Sequence, residues 1–228
     1  MLRDFPSFPV RLPPLTEQRA IAATLGALDD KIDSNRRVIQ TGWALLAAEY
    51  RALQAQAPVI PLGNILDLAY GRALPADNRE PGDVPVYGSN GVTGYHTSAF
   101  VSAPAVVVGR KGSVGEIHWS SAPCWPIDTT FYVQPRNGVP PLISYFALKS
   151  AGLTAMNSDS AIPGLNRVAA LAVQVPIPAT AKGVQWAATR QPLLDVIDQR
   201  QSETVRLAAL RDALLPELLS GRLRATAS

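Results

Sequence analysis

The sequence predicts an α+β chain, in which one mixed α/β, loop-rich domain is flanked by two long coiled-coil-forming helices. Three observations predict it. Residues 15–56 contain no proline and are rich in Ala, Leu, Arg, Gln and Glu, which favour helix. Residues 57–180 hold most of the Pro and Gly together with several β-branched runs. Residues 181–228 return to the helical composition. The predicted organisation is therefore 1–14 as a linker or the remnant of a preceding domain, 15–56 as one helix, 57–180 as the domain and 181–228 as a second helix.

Pro13 and Pro14 block a helix from upstream, Thr16 is a suitable N-cap, and Glu17 suits the first turn. Ile21, Leu25, Leu28, Ile32, Ile39, Leu46 and Leu53 then recur in steps of 4, 3, 4, 7, 7 and 7, with Asn35 and Gly42 at the intervening positions. This is a heptad seam, which predicts coiling against a partner helix. Forty residues at 1.5 Å span about 60 Å, so such a helix is expected to project or bridge. Asn35 either fixes register or is a surface polar residue on an imperfect seam.

The C-terminal segment repeats the first at an offset of 165 residues: Leu12-Pro13 answers to Ile177-Pro178, Leu28 to Leu193, Asp30–Asp33 to Asp195–Asp198, and Leu53 to Leu218. A proline at the same distance ahead of the same Asp-x-Ile-Asp step points to internal duplication. Leu193, Ile197 and Leu218 join the seam residues as the predicted helix interface. The helices are expected to pair antiparallel in a second copy or with equivalents on another protein. Pro216 should kink or end the second helix, with Gly221 a natural stop.

Three clusters in the middle domain are candidate contacts. In Val86–His96, glycines at 88, 91 and 94 demand tight turns that present Ser89 and Asn90 between Tyr87 and Tyr95, with His96 following. Asn can bond adenine in a bidentate manner, and Tyr can bond phosphate or stack. The other reading is an ordinary hairpin with its aromatics in the core. In Ala105–Gly115, a buried-strand run ends in a glycine-bounded basic turn, where Arg110, Lys111 and Ser113 form a candidate phosphate-binding tip. In Ser158–Arg167, a Pro-Gly turn precedes Asn166 and Arg167; that pair could face a groove, or Asn166 could cap the turn.

Charge alone does not indicate a polyanion: the net charge is +3. Residues 57–180 hold seven basic residues (Arg72, Arg79, Arg110, Lys111, Arg136, Lys149, Arg167) against seven acidic ones. Only two histidines exist, with no metal-ligand spacing. No Walker, dinucleotide or Gly-x-Ser-x-Gly motif is present. The sequence thus predicts no catalytic residue, no metal and no cofactor. A lone Cys124, no signal peptide and no membrane-length apolar run predict a cytoplasmic protein without membrane contact.

The run Leu12-Pro13-Pro14-Leu15-Thr16-Glu17-Gln18-Arg19, continuing to Asp30-Lys31-Ile32-Asp33-Ser34-Asn35, closely resembles the conserved helical region of type I restriction-modification specificity subunits. Gly88–Gly91, Gly109–Ser113 and Ile162–Asn166 look like a target-recognition domain of that family. The C-terminal helix departs from the pattern, with Ala181-Lys182-Gly183-Val184 in place of Thr-Glu-Gln-Arg, so its start is open. The resemblance implies a noncatalytic reader of double-stranded DNA that docks modification and restriction subunits through its helices. It implies a half-length form with a single recognition domain, Met1–Arg11 resembling the tail of a missing first one. Two copies would then pair as a homodimer. The rival expectation is a coiled-coil scaffold without DNA recognition.

Overall fold

The computed structural model describes residues 13–156, 164–179 and 181–224, so Met1–Arg11 and Ser158–Pro163 lie outside the described residues. The described residues form two compact units, one of 13–44 with 193–224 and one within 45–192.

The first unit is a helix pair. Helix α1 runs from Leu15 to Gln54 and contributes its N-terminal three-quarters. It faces the C-terminal helix, Gln191–Leu219 (α5). Asp29 meets Arg211 at 2.9 Å, Asn35 meets Glu203 at 3.0 Å, and Gly42 faces Leu193 and Ile197. Numbers rise along one helix as they fall along the other, so the pair is antiparallel. The pairing forms within one chain, whereas the sequence suggested a partner copy or protein. Ile21, Ile32 and Gly42 are buried, and Leu25, Leu28 and Ile39 are half-buried. On α5, Leu194, Ile197 and Leu218 are buried and Leu193 is half-buried.

Asn35 is 1% exposed, and its Nδ2 donates to Glu203 Oε2. A shift of one heptad would strand this buried amide, so the bond favours one register. Of the two readings of Asn35, the seam residue is the one observed. Arg200 hydrogen-bonds Glu203 and, with Asn35 and Lys31, holds its carboxyl below the usual range against the opposing effect of burial. At Gly42 an added Cβ would lie 2.9 Å from Ile197 Cδ1, so the missing side chain lets the helices approach. Pro216 lies inside α5 without ending it. The stop comes at Gly221 (φ 73°), where the N–H of Leu223 donates to Glu217 O as in a left-handed helix cap.

Among the described residues, the second unit holds nine strands. Strands Val59–Pro61 (β1) and Gln174–Pro176 (β9) pair antiparallel, bringing the chain's entry to the domain beside its exit. Leu66–Tyr70 (β2), Ala105–Gly109 (β5), Ile117–Ser120 (β6) and Thr130–Pro135 (β8) form an antiparallel sheet in the order β2-β8-β5-β6. Val84–Gly88 (β3), Gly91–His96 (β4) and Trp125–Pro126 (β7) form a second sheet in the order β4-β3-β7, with β3 parallel to β7. Every residue of β5 is buried, as its unbroken apolar run requires of a central strand.

Helix Pro141–Ser150 (α2) covers the four-stranded sheet with six buried residues. Against it stack Tyr50, at 5.2 Å between rings from Phe146, and Trp186 of helix Ala181–Thr189 (α4). Leu46 is buried and Leu53 half-buried in this unit. Arg190 Nε and Nη2 and the Trp186 indole N–H all donate to Glu49, tying the entry and exit segments together.

The segment expected as one helix from 181 onward is thus two, α4 and α5, broken at Arg190. Pro192 explains the break: it lacks an N–H and clashes inside a helix, yet fits the first turn of α5. Among the described residues, no helix is long and apolar enough to cross a membrane.

Candidate nucleic-acid interface

The first two glycine-rich clusters and the described end of the third, Gly164–Arg167, meet on one side of the second unit. Gly88 pairs with Gly91 across the β3–β4 hairpin, leaving Ser89 and Asn90 as a two-residue tip. Gly91 takes φ 104°, a conformation that favours glycine. Beside the tip packs the turn 109–115. A Cβ on Gly109 would stand 2.0 Å from Ser113 O and 3.0 Å from Ser89 O, and one on Gly112 3.3 Å from Ser89 Oγ. The third segment closes onto the second, because the N–H of Leu165 donates to Arg110 O at 2.8 Å and Gly164 lies against the same carbonyl. The hairpin tip, Ile127 and Thr129 line an open concavity of about 350 Å³.

The side chains within this cluster divide sharply. Asn90 and Lys111 are exposed, and Ser89 and Ser113 are half-buried. Tyr95 is 50% exposed, whereas Tyr87 is 8% exposed and its hydroxyl donates to Trp119 O at 3.3 Å. One flanking aromatic therefore faces outward and the other belongs to the core. His96 is buried: its Nδ1 accepts from Glu80 N at 3.1 Å, and its ring meets Trp125 edge-on. Asn166 caps helix Arg167–Ala172 (α3), its Oδ1 accepting from Ala169 N at 3.0 Å. That is the cap alternative of the sequence reading.

Of the seven cations counted in the sequence, six make internal contacts. Arg110 Nε donates to Asp128 O at 3.1 Å, and its guanidinium lies over the rings of Tyr70 and Phe131, at 5.4 and 5.9 Å. Arg167 and Arg136 both pair with Asp67. Arg79 bonds Thr93 O, Arg72 lies over Trp125, and Lys149 lies over Tyr145. Among the described residues, Lys111 is the one of these seven with no ion pair, hydrogen bond or ring contact for its charged group, whereas Arg72 and Lys149 have ring contacts only.

Burial raises the Asp67 carboxyl, but the Leu68 N–H and the guanidiniums of Arg167 and Arg136 outweigh it and hold the group below its ordinary 3.8. A carboxylate depressed by folding stabilises the fold at pH above its unfolded value, and that contribution disappears as pH falls through the folded one. The urea midpoint is therefore expected to drop between pH 5 and pH 3 by more in the wild type than in Asp67→Asn. Equal drops would remove Asp67 as a source.

Two residues of the cluster escaped the sequence reading. Tyr70, 59% exposed, is brought beside Arg110 only by the β2-β8-β5 pairing across 40 residues of sequence. His118 lies under the hairpin tip, its Nε2 at 3.0 Å from Ser89 O. Neither has a local motif that would mark it.

Converging turns on a β-domain, joined in sequence to paired long helices, define a class of two-part module. The S subunit of a type I restriction-modification system from M. genitalium is similar, with a TM-score of 0.65 and 25% identity over 90% of this chain and 61% of that one. An HsdS subunit from Thermoanaerobacter tengcongensis (19% identity, TM-score 0.45, 93% of this chain and 60% of that one) also aligns. So does a chain from a structure of a type I R-M system (18%, TM-score 0.47, 93% and 61%). The chain spans about three-fifths of the length of these structures. No curated protein matches its sequence. The model of the type I restriction modification DNA specificity domain matches residues 57–205, and the chain belongs to that family.

Proposed function

We propose that this chain is a noncatalytic reader of double-stranded DNA that recognises one half of a bipartite site and docks modification and restriction subunits through its helices. The observation that supports this reading is the meeting of the hairpin tip, the 109–115 turn and the segment from Gly164 on one face, with Asn90 and Lys111 left exposed there. An exposed amide on a tight two-residue turn suits base-edge recognition, and a lysine suits phosphate. Arg110 and Arg167, engaged internally, shape the loops; Ser89 and Ser113 are available beside them.

Lys111→Ala is expected to weaken binding on all duplexes and to lower the salt slope by about one. Asn90→Ala is expected to relax preference at one base pair, costing about 1–3 kcal/mol of discrimination. Fluorescence anisotropy titrations at several salt concentrations separate the two effects. Unchanged binding in both variants would remove these turns from the interface. Co-expression with a type I methyltransferase subunit, followed by mapping of modified adenines, tests the whole reading: no sequence-specific modification rejects it.

The internal pairing of six of seven cations favours a second reading, a coiled-coil scaffold that does not itself hold DNA. A salt-independent association with the methyltransferase, without DNA protection, would identify that role. In either role a second copy would use faces outside the filled seam, where Val38, Val205, Leu210 and Leu215 are exposed. Two copies would then offer two reading heads to a two-fold-symmetric split site. A monomer by light scattering would exclude it.

A further inference from the structure

We propose that His118 is the positioning residue that aims the Ser89–Asn90 tip, and so sets base discrimination without itself touching DNA. The inference rests on the reading of this chain as a DNA reader. The tip has only two residues between Gly88 and Gly91, and the β3–β4 register shifts between Val86 and Tyr87 just below it. Glycine on both sides and a bulge at the base leave the peptide planes of such a turn free to rotate. A turn that rotates cannot hold an amide in the fixed geometry that bidentate base contact requires.

His118 supplies the missing restraint. It stands on β6, in the four-stranded sheet, while the tip belongs to the three-stranded one. Its Nε2 lies 3.0 Å from the carbonyl oxygen of Ser89. A carbonyl can only accept, so Nε2 carries the proton. The Ser89 carbonyl and the Asn90 N–H share one planar peptide unit, so holding the first orients the second and the start of the Asn90 side chain. The same carbonyl is backed by Gly109, where a Cβ would come within 3.0 Å of it. The ring itself packs 6.2 Å from that of Tyr87, which keeps the imidazole in place.

The test uses the full chain and a pool of random-sequence duplexes, comparing wild type with His118→Gln, which retains an N–H at similar reach, and His118→Phe, which retains a ring without the donor. Wild type should enrich a defined sequence. His118→Phe should lose about tenfold of the discrimination at one base pair, and His118→Gln should recover it to within about threefold. If His118→Phe does not fold, His118→Met replaces it in the same comparison. Equal stringency in the donor-lacking variant and wild type overturns the inference alone, as does a uniform loss on every duplex shared by the Gln and donor-lacking variants. A wild type that enriches no sequence overturns the DNA-reading function, and the role of His118 with it.

Discussion

Replacing Gly109 with alanine is expected to abolish the proposed sequence-selective DNA binding and to lower stability by about 3 kcal/mol, at the upper end of what overpacking costs. The added Cβ would lie 2.0 Å from the carbonyl oxygen of Ser113, a backbone atom that cannot swing aside as a side chain could. It would also press on Ser89 O, the group that His118 holds. One methyl group would therefore disturb the 109–115 turn and the hairpin tip together. Urea unfolding monitored by tryptophan fluorescence reads the stability, and selection from random duplexes reads the discrimination. Wild-type behaviour in both would mean that the two turns are not packed against each other in solution.

At Tyr50 two substitutions are expected to move stability in opposite directions. The ring is 2% exposed and packs between Phe146 and Trp186 at centroid distances of 5.2 and 5.8 Å. Tyr50→Ala would leave a cavity in the aromatic cluster that joins the entry helix to α2 and α4, at a cost of about 3–5 kcal/mol. The hydroxyl, however, is buried without a hydrogen-bond partner among the described residues, and burial pushes its pKa upward. An unsatisfied buried hydroxyl opposes folding, so Tyr50→Phe keeps the packing, removes that penalty and should gain about 1 kcal/mol. Urea midpoints of the two variants against wild type decide the matter. A loss of stability in Tyr50→Phe would mean that an ordered water or another group satisfies the hydroxyl.

The helix pair was the most legible part of the sequence because its signal is local and periodic. Ile21, Ile32 and Gly42, spaced by the heptad, all proved buried in it. The turns were legible for a similar reason, since Gly91, Gly112 and Gly115 take positive φ where glycine clusters announced tight backbone. The break at Arg190 was less so: the 165-residue repeat suggested a continuous copy of α1, and Pro192 decided otherwise.

The functional side chains followed a different logic. Arg110, Arg167 and Asn166 looked free because a sequence shows a residue's chemistry without its partners. Asp128, Asp67 and Ala169 are those partners, and two of the three are distant along the chain or on other elements. Tyr70 and His118 reach the cluster only through strand pairing. The periodic helices, the glycine-shaped turns and the family resemblance could be read from the amino-acid order, because each is written in neighbouring residues. Tertiary structure alone decided that the helices pair within one chain, and which polar groups are engaged inside and which remain available. Those outcomes depend on contacts between segments far apart in sequence, where no local pattern acts.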